Sequence, residues 1–331
     1  MIIYLFRITF LVFLFTSCSR NENAVTSFTG TAMTIDYRIL IGDPLNDEQI
    51  SRVRQSIHEA FQEVNNVYNK WNPDSEISKI NRMKSNVIIN ISPQLESFLN
   101  DIDEIVKITE GKFDPTIEPL QSLWKSKLQQ GTVPQENEIN EILPAVGWDK
   151  IHFKNGLLYK DHDQSSLDLG GVAKGLCVDL LVDKIAACGL KNIYVEWGGE
   201  IKVLGEHPAK RPWRIFISSL GDNDPKNAID FVMLSSGQAI ATSGDYLQNW
   251  TIKDNDHETT YFHIIDSKTG RSLISTSGSI ASASIKVPSC ALADGLATAA
   301  MMFSNKEEAF AWLDQLKEKY PTICYWIVKR D

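Results

Sequence analysis

The chain has 331 residues, 43% of them hydrophobic and 23% charged, with a formal net charge of −9 and a pI near 5.3. That composition suits a globular protein of one large or two moderate domains with a sizeable core, and it excludes a basic nucleic-acid surface or a polybasic membrane patch. The sequence shows neither an internal repeat nor a low-complexity tract.

Met1 to Ser17 carries one basic residue, Arg7, among almost only apolar ones, and polar sequence follows at once. It is too short for a stable membrane span and reads as a secretion signal, residues 1–18, ending at a lipidated Cys18, with 19–28 as a tether. The alternative is an ordinary cleaved signal with Cys18 incidental. On the first reading the protein is held by lipid on a bacterial membrane. Of the other cysteines, Cys177 and Cys188 are eleven residues apart along one helix, about 16 Å by helix rise, too far for a disulfide. No metal-ligand spacing joins the four.

Thr29 to Leu40 alternates, with Thr31, Met33, Ile35 and Tyr37 on one side, and predicts one strand. A helix follows: Asn46 with Gln49 forms a capping-box pattern, and Ile50, Val53, Ile57, Phe61, Val64 and Val67 make a stripe ending near Trp71. Residues 71–76 read as a loop and Ile77 to Asn81 as a short helical turn. Ser92 as N-cap, Pro93 at the first helical position and Gly111 beyond the end bracket a second long helix. In Lys112-Phe113-Asp114-Pro115-Thr116, Pro115 pushes Asp114 into an extended conformation, which leaves an acid beside an aromatic in a loop. Residues 120–150 read as helical with several turns, and Ile151 to Tyr159 as a hairpin around Asn155-Gly156.

SLDLGGVAKG, Ser166 to Gly175, reads as a short apolar strand that ends in an acid and two glycines and enters a helix from about Val172 to Ala187. The free N–H groups of that helix start form an anion site, and Lys174 in the first turn, unfavourable against the dipole, makes sense beside an anion. The pattern points to phosphate but fits neither the dinucleotide fingerprint nor the P-loop; a tight turn with a solvated lysine is the plainer alternative. Further strands are predicted at Asn192–Val195, Glu200–Leu204, Trp213–Ser218, Phe231–Leu234, Ala239–Thr242 and Tyr261–Ile265, with a helix over 306–320 and a strand at Ile323–Val328. Short strands without regular βαβ alternation predict an α+β fold.

Three segments carry chemistry. In ALADGLATAAMM, Ala291 to Met302, Asp294 and Thr298 are four apart on a helix, so a carboxylate and a hydroxyl project from one face as hard donors suited to Mg2+. The plainer reading is an Asp favouring the helix dipole and a Thr bonded back to the helix. His263 lies near a strand end, where it is a general base or simply a hydrogen-bonding group. Ala241 to Tyr246 is a polar turn or a hydroxyl-rich wall of a ligand site.

FTGTAMTIDY, WNPDSEISKIN, GKFDPTIEPL, SLDLGGVAKG, EWGGEIKVLG, ATSGDY, HIIDSKTG and ALADGLATA, in that order from about residue 29 to 303, resemble the ApbE family of flavin transferases, which are periplasmic lipoproteins. The resemblance implies one domain over 29–331, of two closely associated lobes with mixed or antiparallel sheets. It implies an FAD:protein FMN transferase that cuts the FAD pyrophosphate with Mg2+, releases AMP and leaves FMN on a threonine hydroxyl of an acceptor, such as a subunit of a sodium-pumping quinone reductase. Carried across by motif, Met33, Trp71, Phe113, Asp114, Asp168, Lys174, His263 and Ile265 match FAD-contacting positions, and Gly171 through its carbonyl, Asp294 and Thr298 match metal positions. Within the resemblance His263 is the candidate base, since the other five histidines fall outside the motifs. This chain departs from the pattern at Trp71, where Tyr is frequent, at Ser267, where Pro is usual, and at Lys174, where some members have Glu. Two other readings use the same residues: a Mg2+-dependent FAD pyrophosphatase that releases FMN and AMP, and a non-catalytic FAD-binding lipoprotein.

Overall fold

Two strands, not one, occupy the alternating segment at the start of the domain. A computed structural model describes residues 25–330 except 221, 223, 246, 247, 255 and 256, so the leader, Cys18 and Tyr246 lie outside the described residues. β1 (Thr26–Ala32) and β2 (Ile35–Ile41) pair antiparallel across Met33-Thr34, both at positive φ, 48° and 67°. Such a two-residue turn matches the twist of paired strands. Across that turn Ala32 pairs with Ile35 and Thr31 with Asp36, so the alternation changes phase there, and Thr31 stands on the opposite face from Ile35 and Tyr37 rather than sharing one side with them.

α1 (Asp47–Val67) starts with the expected reciprocal cap, Gln49 N–H to Asn46 Oδ1 at 2.8 Å and Asn46 N–H to Gln49 Oε1 at 3.0 Å, and it ends before Trp71. α2 (Glu76–Arg82), β3 (Ile89–Asn90) and α3 (Pro93–Ile108) follow, the last capped by Ser92 and closed past its end by Gly111 at φ 75°. Next come α4 (Glu118–Gln129), α5 (Glu136–Ile142), and the hairpin of β4 (Ile151–Lys154) and β5 (Leu157–Lys160). The stretch before Gly170 is not a strand. Apart from a bridge between Ser166 and Ile117, it is held by side chains and loop backbone: the Asn81 amide bonds both the N–H and the C=O of Leu167, and Asp168 N–H donates to Pro115 O at 2.7 Å.

α6 (Ala173–Ala186) then leads to β6 (Ile193–Trp197), β7 (Glu200–Leu204), β8 (Trp213–Ile217), β9 (Asp230–Leu234), β10 (Ala239–Gly244), β11 (Asn249–Asp254), β12 (His257–Ile265), β13 (Ser272–Ile274) and β14 (Ile280–Val287). α7 (Cys290–Ala300), α8 (Lys306–Leu316) and β15 (Cys324–Lys329) complete the chain. β11, β13 and β14 were not anticipated. β14, eight residues with Ala and Ser at four of them, is buried nearly throughout, so it lacks the alternation that marks a half-exposed strand.

The main sheet has the order β1-β2-β6-β7-β10-β14-β15, every pair antiparallel. Helices α1, α3, α6 and α7 bury one face around residues such as Ile39, Val195, Val178 and Leu296; the β8–β9 ribbon covers the other around Tyr194, Val203 and Trp213. A second lobe joins α4 and α5 to the β11-β12-β13 sheet around Leu120, Trp124, Ile139 and Ile265. Trp124 Nε1–H donates to Gly270 O at 2.7 Å and clamps the two parts of that lobe together. This is the expected α+β fold in two associated lobes. The four cysteines of the described chain are free thiols.

Candidate active site

A cavity of roughly 650 Å³ lies between the lobes. Trp71, Phe113, Asp114, Asp168, Gly171, Lys174, His263, Ile265, Asp294 and Thr298 all line it, although they span most of the sequence. Met33 does not. It packs on the core while its neighbours Thr34 and Ile35 form that wall. Two tight hairpin turns set this end of the sheet: Met33-Thr34, and Gly198-Gly199 at φ 67° and 100° between β6 and β7.

One corner is built by α6 against α7. The helices approach closely because Gly175 lacks a side chain: a Cβ there would stand 2.3 Å from the carbonyl oxygen of Cys290. Asp179 on α6 reaches across to accept the N–H groups of Cys290 and Ala291, each at 3.0 Å, and so caps α7 with a carboxylate where the dipole favours one. Asp294, 1% exposed, is thereby placed over the start of α6, with Oδ2 accepting from Gly175 N–H at 3.2 Å. Gly175→Ala is expected to force the helices apart and destabilise the fold by about 3 kcal/mol, read from the urea midpoint; an unchanged midpoint would contradict this packing.

Lys174 at this helix start has protein anions as its neighbours. Its ammonium lies 2.8 Å from Glu200 Oε1 and 3.3 Å from both oxygens of Asp294, so the anions beside it are the protein's own carboxylates. Burial pulls its pKa down, but Asp294 and Glu200 together outweigh that and hold it above the ordinary lysine value. Burial pushes the Glu200 carboxyl up, offset in part by Lys174. Sequence reasoning passed over Glu200, although it ends the Trp197-Gly198-Gly199 turn within a quoted motif.

The donors of this corner fit a small hard cation. Thr298 Oγ1 is 3.1 Å from Ser243 Oγ and faces Gly171, where a Cβ would stand 3.2 Å from it. Glu200 Oε2 is buried with no hydrogen-bond partner, and two carboxylates here share one ammonium, so acceptors outnumber donors. Among the described residues no three His, Cys, Asp or Glu side chains are gathered as for zinc. Mg2+ does not need such a set, since it takes one or two carboxylates and completes its shell with water and substrate phosphates.

The opposite wall is aromatic and cationic. Trp71 is 73% exposed, with the ammoniums of Lys70 and Lys125 at 5.0 and 4.9 Å from its ring centroid. Lys70 pairs with Asp168 at 2.9 Å and also with Glu118; Lys70 lies outside the quoted motifs, and Glu118 was passed over although it stands within GKFDPTIEPL. Asp168 also accepts Gly170 N–H at 2.8 Å, fixing the glycine turn. Asp114 serves its own loop: Oδ1 accepts Thr116 N–H and Oγ1–H at 2.8 and 2.5 Å, and Oδ2 accepts Trp148 N–H at 3.2 Å. Burial, the largest effect, raises its pKa against those bonds.

His263 projects from β12, partly buried. Its Nδ1 is 3.3 Å from the carbonyl oxygen of Gln248. A carbonyl only accepts, so Nδ1 carries the proton and Nε2 keeps its lone pair. Burial lowers the pKa of this imidazole, outweighing the raising effects of the Gln248 bond, Asp168 and Asp245.

Comparison with known proteins gives one consistent answer. The profile of the ApbE family matches residues 29–324. A protein of Chlamydia pneumoniae named FAD:protein FMN transferase is 38% identical over 301 residues, covering 90% of each chain, and one so named from Vibrio cholerae is 30% identical over 84% of this chain and 81% of its own. Among solved structures, the flavin transferase ApbE from Vibrio cholerae superposes with a TM-score of 0.75 at 26% identity, covering 93% of this chain and 94% of its own. The apo Pseudomonas stutzeri flavinyl transferase ApbE does so at 0.78 and 26%, covering 93% and 92%. With the profile spanning nearly the whole described fold and the relatives aligned along almost their full length, this chain belongs to the ApbE family.

Proposed function

We propose that this enzyme, an FAD:protein FMN transferase, uses Mg2+ to move FMN from FAD onto a threonine hydroxyl of an acceptor protein and releases AMP. The observation that carries the reading is one cavity that joins a hard-oxygen corner, Asp294 with Thr298 and Gly171, to an imidazole with a free lone pair and to an aromatic wall. Mg2+ bound at that corner would neutralise pyrophosphate charge as the leaving group departs. His263 Nε2 takes the proton from the threonine hydroxyl as its oxygen bonds to the flavin-side phosphorus, and the bond from that phosphorus to the AMP oxygen breaks. Phe113 and Ile265 offer an apolar wall, and the Trp71 ring a stacking surface, for the flavin. Asp168, held by Lys70, fixes the glycine turn beside the pyrophosphate.

The acceptor we propose is a periplasmic flavoprotein, such as a respiratory quinone reductase subunit, reached by an enzyme lipid-anchored through Cys18. Incubating the full chain with FAD, Mg2+ and a candidate acceptor, then reading in-gel flavin fluorescence and free FMN, tests the assignment. Flavin on the acceptor supports transfer. Free FMN alone would make the enzyme a pyrophosphatase, with water in place of the threonine, and neither product would leave an FAD-binding protein.

A pH profile follows from His263. The base must be neutral, so saturated turnover falls as pH drops through its pKa, which burial has lowered from the usual value near 6.5. Transfer should therefore hold its rate from pH 8 down to below about 6.5. A loss centred above pH 7 would contradict the assignment.

A further inference from the structure

The ammonium of Lys174 stands where a metal-binding carboxylate would meet its metal. It is equidistant, 3.3 Å, from the two oxygens of Asp294. Oδ2 is further engaged by Gly175 N–H. We propose that Lys174 is a resident cation of the metal corner, which a divalent ion must displace from Asp294 in order to bind. This rests on reading Asp294, Thr298 and Gly171 as the metal site.

The displacement follows from charge and room. A divalent ion sits about 2 Å from its carboxylate oxygen, so it and the ammonium would lie side by side on one buried acid, where like charges repel strongly. One of them has to leave. Both acids are fixed, each with a side chain 1% exposed, whereas the Lys174 side chain is 29% exposed and lines the cavity. Its stem is flexible, and Glu200 holds it on the far side through Oε1 at 2.8 Å, with Oε2 free to accept a second bond. Gly198 keeps that side open, because a Cβ there would stand 3.1 Å from Glu200 Oε2 and 3.4 Å from Lys174 Cδ. Released from Asp294, the ammonium pivots on Glu200 toward the cavity, where an anionic substrate lies. Loading the metal and presenting the lysine are one event, and without metal the lysine keeps Asp294 compensated.

The consequence is unusual for a residue of a binding site: removing it should tighten metal binding. Mn2+ binding to the full chain without FAD, followed by loss of the free-ion electron paramagnetic resonance signal, should be about tenfold tighter in Lys174→Gln than in the wild type. Asp294→Asn should abolish it. Equal or weaker Mn2+ binding by Lys174→Gln, with Asp294→Asn inactive in binding, would overturn the displacement and leave the metal site standing. Binding untouched by Asp294→Asn would overturn the metal site, and the displacement with it. A second readout needs no variant and decides the matter if Lys174→Gln does not fold. Reductive methylation of Lys174 in the wild type, read by mass spectrometry, should rise several-fold with saturating Mg2+; a rate insensitive to Mg2+ overturns the proposal.

Discussion

Replacing Asp294 by alanine is expected to abolish Mg2+-dependent turnover, lowering AMP release by about 10³-fold or more, because the pyrophosphate would then meet its developing charge without the cation. Asp294 is a buried carboxylate that lines the cavity together with Thr298 and Gly171. Glu200 lines the same cavity but holds the Lys174 ammonium more closely, at 2.8 Å against 3.3 Å for Asp294. FAD is expected to remain bound through the Trp71, Phe113 and Ile265 wall, so loss of turnover should come with an FAD dissociation constant changed far less. Chromatographic measurement of AMP beside an FAD binding titration separates the two effects. Unchanged AMP release by a folded variant would refute the metal assignment.

His263→Ala is expected to slow transfer at saturating FAD by the roughly 10²- to 10⁴-fold usual for losing a general base. A threonine hydroxyl is a poor nucleophile at neutral pH, and in the proposed mechanism the Nε2 lone pair, fixed by the Nδ1 contact with Gln248, takes its proton. A residue that only held the flavin or its phosphates would behave otherwise: its loss would raise the FAD dissociation constant and leave saturated turnover nearly intact. His263→Asn sharpens the comparison, since it keeps polarity and removes the basic nitrogen. A saturated rate equal to that of the wild type would falsify the base role.

Local signals were read well where the chemistry was local. The Asn46–Gln49 box, the Ser92 cap with Pro93, the Asn155-Gly156 turn and the α7 spacing of Asp294 and Thr298 each depend on residues within four positions of one another, so the sequence contains the whole interaction. Reading failed where the partner lay elsewhere. The extended run before Gly170 is bonded by the Asn81 side chain and loop backbone rather than by a neighbouring strand, and nothing in SLDLGG announces that. β14 is buried on both faces and carries no alternation to find.

The order of eight short motifs was enough, by the sequence alone, to place this chain in its family and to name ten of the residues that line its cavity. Each motif sits at a turn or helix start where local geometry restricts the residue types, and eight such restrictions in order rarely coincide. What each side chain faces was decided only by the tertiary structure. Lys174 was legible as a cation near an anion, but which anion depended on Glu200 crossing from β7 and Asp294 from α7, 26 and 120 residues away. Met33 sits in the right turn yet packs on the core, and Lys70 joins Glu118 to Asp168, 48 and 98 residues away, in the cavity wall. Periodicity and capping report on interactions within a segment; the charge balance of a buried corner is a sum over segments, and it exists only once they are packed together.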